Sequence, residues 1–139
     1  MSFPRYPKYK DSGVEWLGQV PEHWDVKPLR GLAREEPTAF IDGDWIEAPF
    51  ITDEGVRLIQ TGNIGVGSYK EQGFRFVSHE TFEAFHCTGI DCGDVLICRL
   101  ADPVGRACLA PKMESLMITS VDVCILKPRP EVNAGFVVY

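Results

Sequence analysis

No stretch of about 18 apolar residues occurs anywhere in the 139-residue sequence, which excludes a membrane-spanning helix. The start, MSFPRYPKYK, is basic but has no apolar segment after it, so it does not read as a secretory signal, and the expected compartment is the cytoplasm. None of the five cysteines, Cys87, Cys92, Cys98, Cys108 and Cys124, stands in C-x-x-C spacing, so no metal site is expected. Cys98 and Cys124 lie inside apolar runs and are expected as buried thiols. Catalytic signatures are missing too. There is no nucleophile elbow, no G-x-x-x-x-G-K-[ST] phosphate loop, and no N-P-P-Y or D-P-P-Y motif of an amino-methyltransferase. GNIGVG (62–67) has the wrong glycine spacing for a dinucleotide fingerprint. His23, His79 and His86 are scattered, and surface or cap positions are preferred to a metal pair for the last two. Asp25-x-Lys27 resembles the end of a nuclease motif, without an earlier acid to complete it. No cofactor is expected.

What is present is a chain that is 45% hydrophobic, enough for one ordinary core. The net charge of −6 is uneven: residues 1–34 hold six basic against four acidic residues, and the remainder eight against sixteen. An acidic total argues against a nucleic-acid partner, although only the charge of the bound face matters to a phosphate.

Short apolar runs alternate with turn chemistry, which predicts an α+β, strand-rich single domain with short helices and a mixed or antiparallel sheet. Asp11-Ser12 is expected to cap a helical turn over residues 14–17, ended by Gly18, and Pro21 to begin an extended passage through residues 24–29. Asp44 and Glu47 form a capping-box pattern in DGDWIEAP (42–49), cut short by Pro49. VRLIQ (56–60) and FRFV (74–77) read as paired strands around a glycine-rich turn, and Ser78 as the cap of a short helix with Phe82 and Phe85 on one face. GDVLICRL (93–100), RACLA (106–110) and TSVDVCIL (119–126) read as three further strands. The sequence stops on NAGFVVY, an apolar segment that suggests a truncated chain or an excised piece.

Six segments carry a resemblance. They are YPKYKDSGVEWLGQVPEHWDVKPL (6–29), DGDWIE (42–47), RLIQTGNIGVGSYKEQG (57–73), FVSHETFEAFHCT (76–88), GDVLICRLADPVGRACLAP (93–111) and ITSVDVCILKPRP (118–130). In order, and over most of the chain, they resemble the amino-terminal target recognition domain of the specificity subunit of type I restriction–modification enzymes. The resemblance implies one partial recognition domain over residues 1–139, with residues 1–24 as a clasp packed on it through Trp16 and Leu17. It implies a reader without chemistry of its own, which recognises one half of a bipartite site in double-stranded DNA. The implied partners are a methylation subunit, which brings S-adenosylmethionine, and a translocating restriction subunit. The spacer helices and second recognition domain of the family are missing from the sequence.

The residues of the resemblance are framework, so contacts with DNA must be chosen by chemistry. Arg, Lys, Asn, Gln, Ser and Thr read base edges, and Arg and Lys hold phosphates. Residues 61–75 concentrate such groups in Thr61, Asn63, Ser68, Tyr69, Lys70, Gln72 and Arg75, against one acid, Glu71. An ordinary solvated hairpin is the alternative. Arg99 and Arg106 bracket the ADPVG loop, either as phosphate ligands or as internal ion pairs with Asp102 or Asp94. Lys8, Lys10, Lys27 and Arg30 form a basic end able to hold DNA backbone. Acids at 44 and 47 argue against a phosphate at that helix start. A second hypothesis is a protein-interaction fragment that forms a homodimer or docks on the methylation subunit.

Overall fold

The computed structural model describes residues 3–139. They form two compact units, one ending at Gly31 and the other spanning Leu32–Tyr139. The first unit is built on an antiparallel hairpin of β1 (Tyr9–Asp11) and β2 (Gln19–Pro21). Its connection is the turn expected near residues 14–17. Asp11 Oδ1 accepts from Gly13 N at 2.7 Å, and both Leu17 N and Gly18 N donate to Val14 O. Trp24 N closes a turn onto Pro21 O, residues 24–28 then carry no helix or turn, and a 3₁₀ turn follows over Leu29–Leu32. Trp16 is 84% exposed and Leu17 about two-fifths exposed.

The second unit carries two four-stranded sheets. In chain order its strands are β3 (Phe40–Asp42), β4 (Ile51–Thr52), β5 (Val56–Ile59), β6 (Arg75–Val77), β7 (Val95–Cys98), β8 (Ala107–Leu109), β9 (Met117–Thr119) and β10 (Val123–Leu126). One sheet has the order β3-β10-β7-β8 and is antiparallel throughout. The other has the order β4-β6-β5-β9 and is mixed, since β5 and β9 run parallel. A strand-rich α+β architecture with short helices is what the sequence pattern predicts.

Ile59, Leu96, Cys108, Met117 and Ile125, contributed by both sheets, form the main core cluster together with Ile64 from the segment after β5. A second cluster includes Val95 and Leu126, with Val137 of α2 (Ala134–Val137) packed on it. A third includes Val56, Leu58 and Ile118, with Phe82 of α1 (His79–Ala84) packed on it. Ser78 caps α1 as its sequence predicts, accepting from Thr81 N at 3.0 Å. Phe82 and Phe85 part company: Phe82 joins the core, whereas Phe85 follows α1 and packs edge-on against Phe50.

Two local expectations are overturned. Asp44 caps no helix. Its backbone bridges to Ser120, its carboxylate accepts from Thr88 N at 3.0 Å, and the only helical turn nearby is Ala48–Phe50. Residues 119–126 are not one strand either, but the end of β9, a turn and β10, which serve different sheets. Thr119 follows apolar Ile118 and is β-branched, and Val121 and Val123 lie beyond Ser120, so periodicity alone carries the strand through the turn.

Candidate nucleic-acid interface

The segment between β5 and β6 is not a loose hairpin. A 3₁₀ turn, Thr61–Asn63, opens it, and Ile64 then bridges to Tyr69 around Gly65 and Gly67. Gly67 has φ +78°, a conformation natural to glycine. Asn63 is buried beneath the segment. Its Oδ1 accepts from Gln60 N at 2.9 Å, and its Nδ2 donates to Lys70 O at 2.9 Å and Gln72 O at 2.8 Å. The amide thus spends its groups on backbone, and Asn63 is a strut rather than a base reader.

A second strut was not among the residues that sequence chemistry selects. Arg57 lies on β5 between Val56 and Leu58 and is only 2% exposed. Its Nη2 donates to Gln72 O at 3.0 Å and to Tyr69 Oη at 3.5 Å, and pairs with Glu71 at 3.1 Å. The guanidinium also lies over the rings of Phe74 and Phe76, 4.9 and 5.5 Å from their centroids. A buried charge is tolerated only when so paired. The alternation of strand residues was the available signal: Arg57 shares a face with buried Ile59, which demands a partner for its charge. Tyr69 consequently points inward. Burial pushes its phenol above the ordinary value, with the Arg57 charge acting against that shift.

Arg106 is a third strut. Its Nε donates to Ile64 O at 2.7 Å, its Nη2 to Thr61 O at 3.0 Å, and its Nη1 to Ala101 O at 2.8 Å and Pro103 O at 3.1 Å. Four carbonyls, and neither Asp102 nor Asp94, take its donors. Arg99 does form an ion pair, but with Asp42 of β3, and it adds a bond to Val121 O at 3.3 Å. Asp94 is buried against Lys127 Nζ at 2.6 Å, which also reaches Asp91 at 3.1 Å. Burial pushes the Lys127 ammonium down, but the hydrogen bonds and charges of Asp94 and Asp91 outweigh it, so its pKa is raised.

The nine selected residues therefore divide. Asn63, Tyr69 and Arg106 hold the segment from within, and Arg99 staples the two strands beside it. Ser68, Lys70, Gln72 and Arg75 stand on the exposed side, with Thr61 half-buried beside them. Neither Lys70 nor Arg75 has an ion-pair partner among the described residues.

Beside this face lies a cleft of about 390 Å³. Asp44, Trp45, Thr61, Gln72, Ser120 and Asp122 are among the residues that line it, and no lysine or arginine is. Burial pushes the Asp44 carboxyl above its ordinary value, against the bond from Thr88 N. Among the described residues, no group of three His, Cys, Asp or Glu is placed to hold a metal ion, and no helix is long and apolar enough to cross a membrane.

The two-sheet arrangement has solved counterparts. The HsdS subunit from Thermoanaerobacter tengcongensis superposes with a TM-score of 0.62 over 94% of this chain, at 18% identity. The fold is that of HsdS. A second match, solved in work on "complex assembly and conformational transition of the type I R-M system", gives a TM-score of 0.58 over 85% of this chain, also at 18% identity. The chain spans about 30% of the length of the HsdS structure and 29% of the length of the second match. No protein-family model matches the sequence, and no curated protein matches it either. The resemblance read from the six sequence segments and the superposition on HsdS agree in kind and in extent along the chain.

Proposed function

We propose that this chain is a sequence-specific DNA-binding module of a type I restriction–modification system, which reads one half of a bipartite target without catalysis of its own. The observation that carries the reading is the segment over residues 61–75. On a fold shared with HsdS, the buried side chains of Arg57 and Asn63 and the half-buried Arg106 fix its backbone, while Lys70, Gln72 and Arg75 face outward. Such a rigid polar edge suits a DNA groove, because fixed donors lose little freedom on binding. The acidic total does not decide the matter, since only the charge of the bound face meets phosphate, and the one acid of residues 61–75, Glu71, is paired with Arg57. On this reading the methylation subunit and the translocating restriction subunit are partners, and the complex acts in the cytoplasm.

The test is duplex binding at several salt concentrations. The chain is expected to select a half-site from a randomised pool, with an affinity that falls steeply as salt rises. Lys70→Ala and Arg75→Ala should each weaken binding to all duplexes alike and flatten the salt slope by about one. Salt-independent binding, or none, would sink the proposal. A second reading, docking on a methylation subunit or on another copy without reading DNA, draws on the exposed Trp16 and on Phe136, which is 75% exposed. Sedimentation of the chain alone and pull-down with a methylation subunit separate the two readings.

A further inference from the structure

Gln72 is the one exposed amide on this edge whose position is fixed at both ends. Its backbone carbonyl accepts from Arg57 Nη2 at 3.0 Å and from Asn63 Nδ2 at 2.8 Å. Its side-chain Nε2 donates to Gly62 O at 2.7 Å. A carbonyl oxygen can only accept, so the nitrogen and not the oxygen of the amide faces Gly62. A Cβ at Gly62 would come 3.4 Å from Nε2, an ordinary contact. One N–H of the amide is thereby used. The other N–H and the whole of Oε1 remain, on a group that borders the cleft.

An edge with one donor and one acceptor side by side matches one base. In the major groove adenine offers N7 as acceptor and the N6 amine as donor, and Gln pairs with both. Guanine offers two acceptors, O6 and N7, and would set O6 against Oε1. Cytosine offers only the N4 amine and thymine only the O4 acceptor. The neighbouring wall sharpens the choice. Asp44 and Asp122 line the cleft without any cation, so a phosphate or a purely accepting base edge is repelled there, whereas an amine, as a donor, is favoured.

We infer that Gln72 is a specificity-determining residue that reads an adenine through its N7 and N6 edge, with the Gly62 carbonyl setting the orientation of the amide. This rests on the proposed DNA-reading function. The same chain, with the half-site it selects from a random pool, provides the test. The selected site should contain an adenine at which replacement by 7-deazaadenine, lacking N7, or by purine, lacking the 6-amine, weakens binding about tenfold. Gln72→Ala should bind the parent and both analogues alike, and should accept any base at that position while keeping its preferences elsewhere. The analogues need no mutation, so a folding defect in the variant cannot mimic the result. A selected site in which no adenine responds to either analogue overturns the inference alone, as does a Gln72→Ala variant with unchanged preferences throughout. Failure to select any site overturns the proposed function as well.

Discussion

At the scale of single residues, three polar side chains beneath one segment, Arg57 and Asn63 buried and Arg106 half-buried, decide what it can present. Arg57 bears the largest burden, because a guanidinium at 2% exposure is stable only with its carbonyl, carboxylate and ring partners in place. Arg57→Met retains most of the stem and its packing but removes every polar tie to residues 69–72. A loss of about 3 kcal/mol is expected, within the range for breaking a buried charged pair. Urea denaturation measures it. Amide hydrogen exchange should quicken over residues 69–76 and stay unchanged in α1, whose cap at Ser78 is independent. Uniform quickening across both sheets would instead assign Arg57 to the general core.

At the scale of elements, the two sheets depend on a crossing at Gly43. Its amide bonds Val123 O of β10 at 2.9 Å, and the next amide, of Asp44, bonds Thr119 O of β9 at 2.8 Å. One residue thus passes the chain from one sheet to the other. A Cβ at Gly43 would lie 2.3 Å from Ser120 O and 2.4 Å from Thr119 O, both backbone atoms with nowhere to turn. Gly43→Ala is therefore expected to destabilise the second unit by about 3 kcal/mol, at the upper end of overpacking effects. A thermal melt that matches wild type would mean that the crossing has slack. β9 and β10 show the complementary logic. Thr119 donates through Oγ1 to Ile59 O at 2.8 Å, which ties β9 to β5, and the chain turns before joining β10 to β7.

At the scale of the whole molecule, the thiols report on folding. Burial pushes both Cys87 and Cys108 up to about 11 from an ordinary 9.0. A raised thiol pKa means that the folded state holds the proton more tightly than the unfolded state. The associated stability is present below pH about 9 and is lost as pH rises towards 11. The urea midpoint is expected to fall over that interval, and Cys108→Ala should reduce the fall. A midpoint constant from pH 8 to 11 would contradict the burial of these groups. Alkylation at pH 8 should reach the exposed Cys92 well before Cys108.

Much of this was legible in the order of residues. The Val56, Val95 and Ala107 strands, the Ser78 cap and the turn ended by Gly18 follow from periodicity and side-chain chemistry over a few neighbours. So does the concentration of Lys70, Gln72 and Arg75 between two strands. The roles of Asn63, Arg106 and Arg57 did not follow, because their partners lie up to 45 residues away, as Thr61 does from Arg106. A buried amide and a DNA-reading amide are the same letter in a sequence. Likewise, Arg99 was expected near Asp94 or Asp102 on sequence distance, yet its partner is Asp42, 57 residues distant. Local pattern and composition determine which elements form and which chemistries are missing. Only the tertiary structure divides one polar segment into struts and presented groups, because burial and hydrogen-bond partners are properties of strands brought together from across the chain.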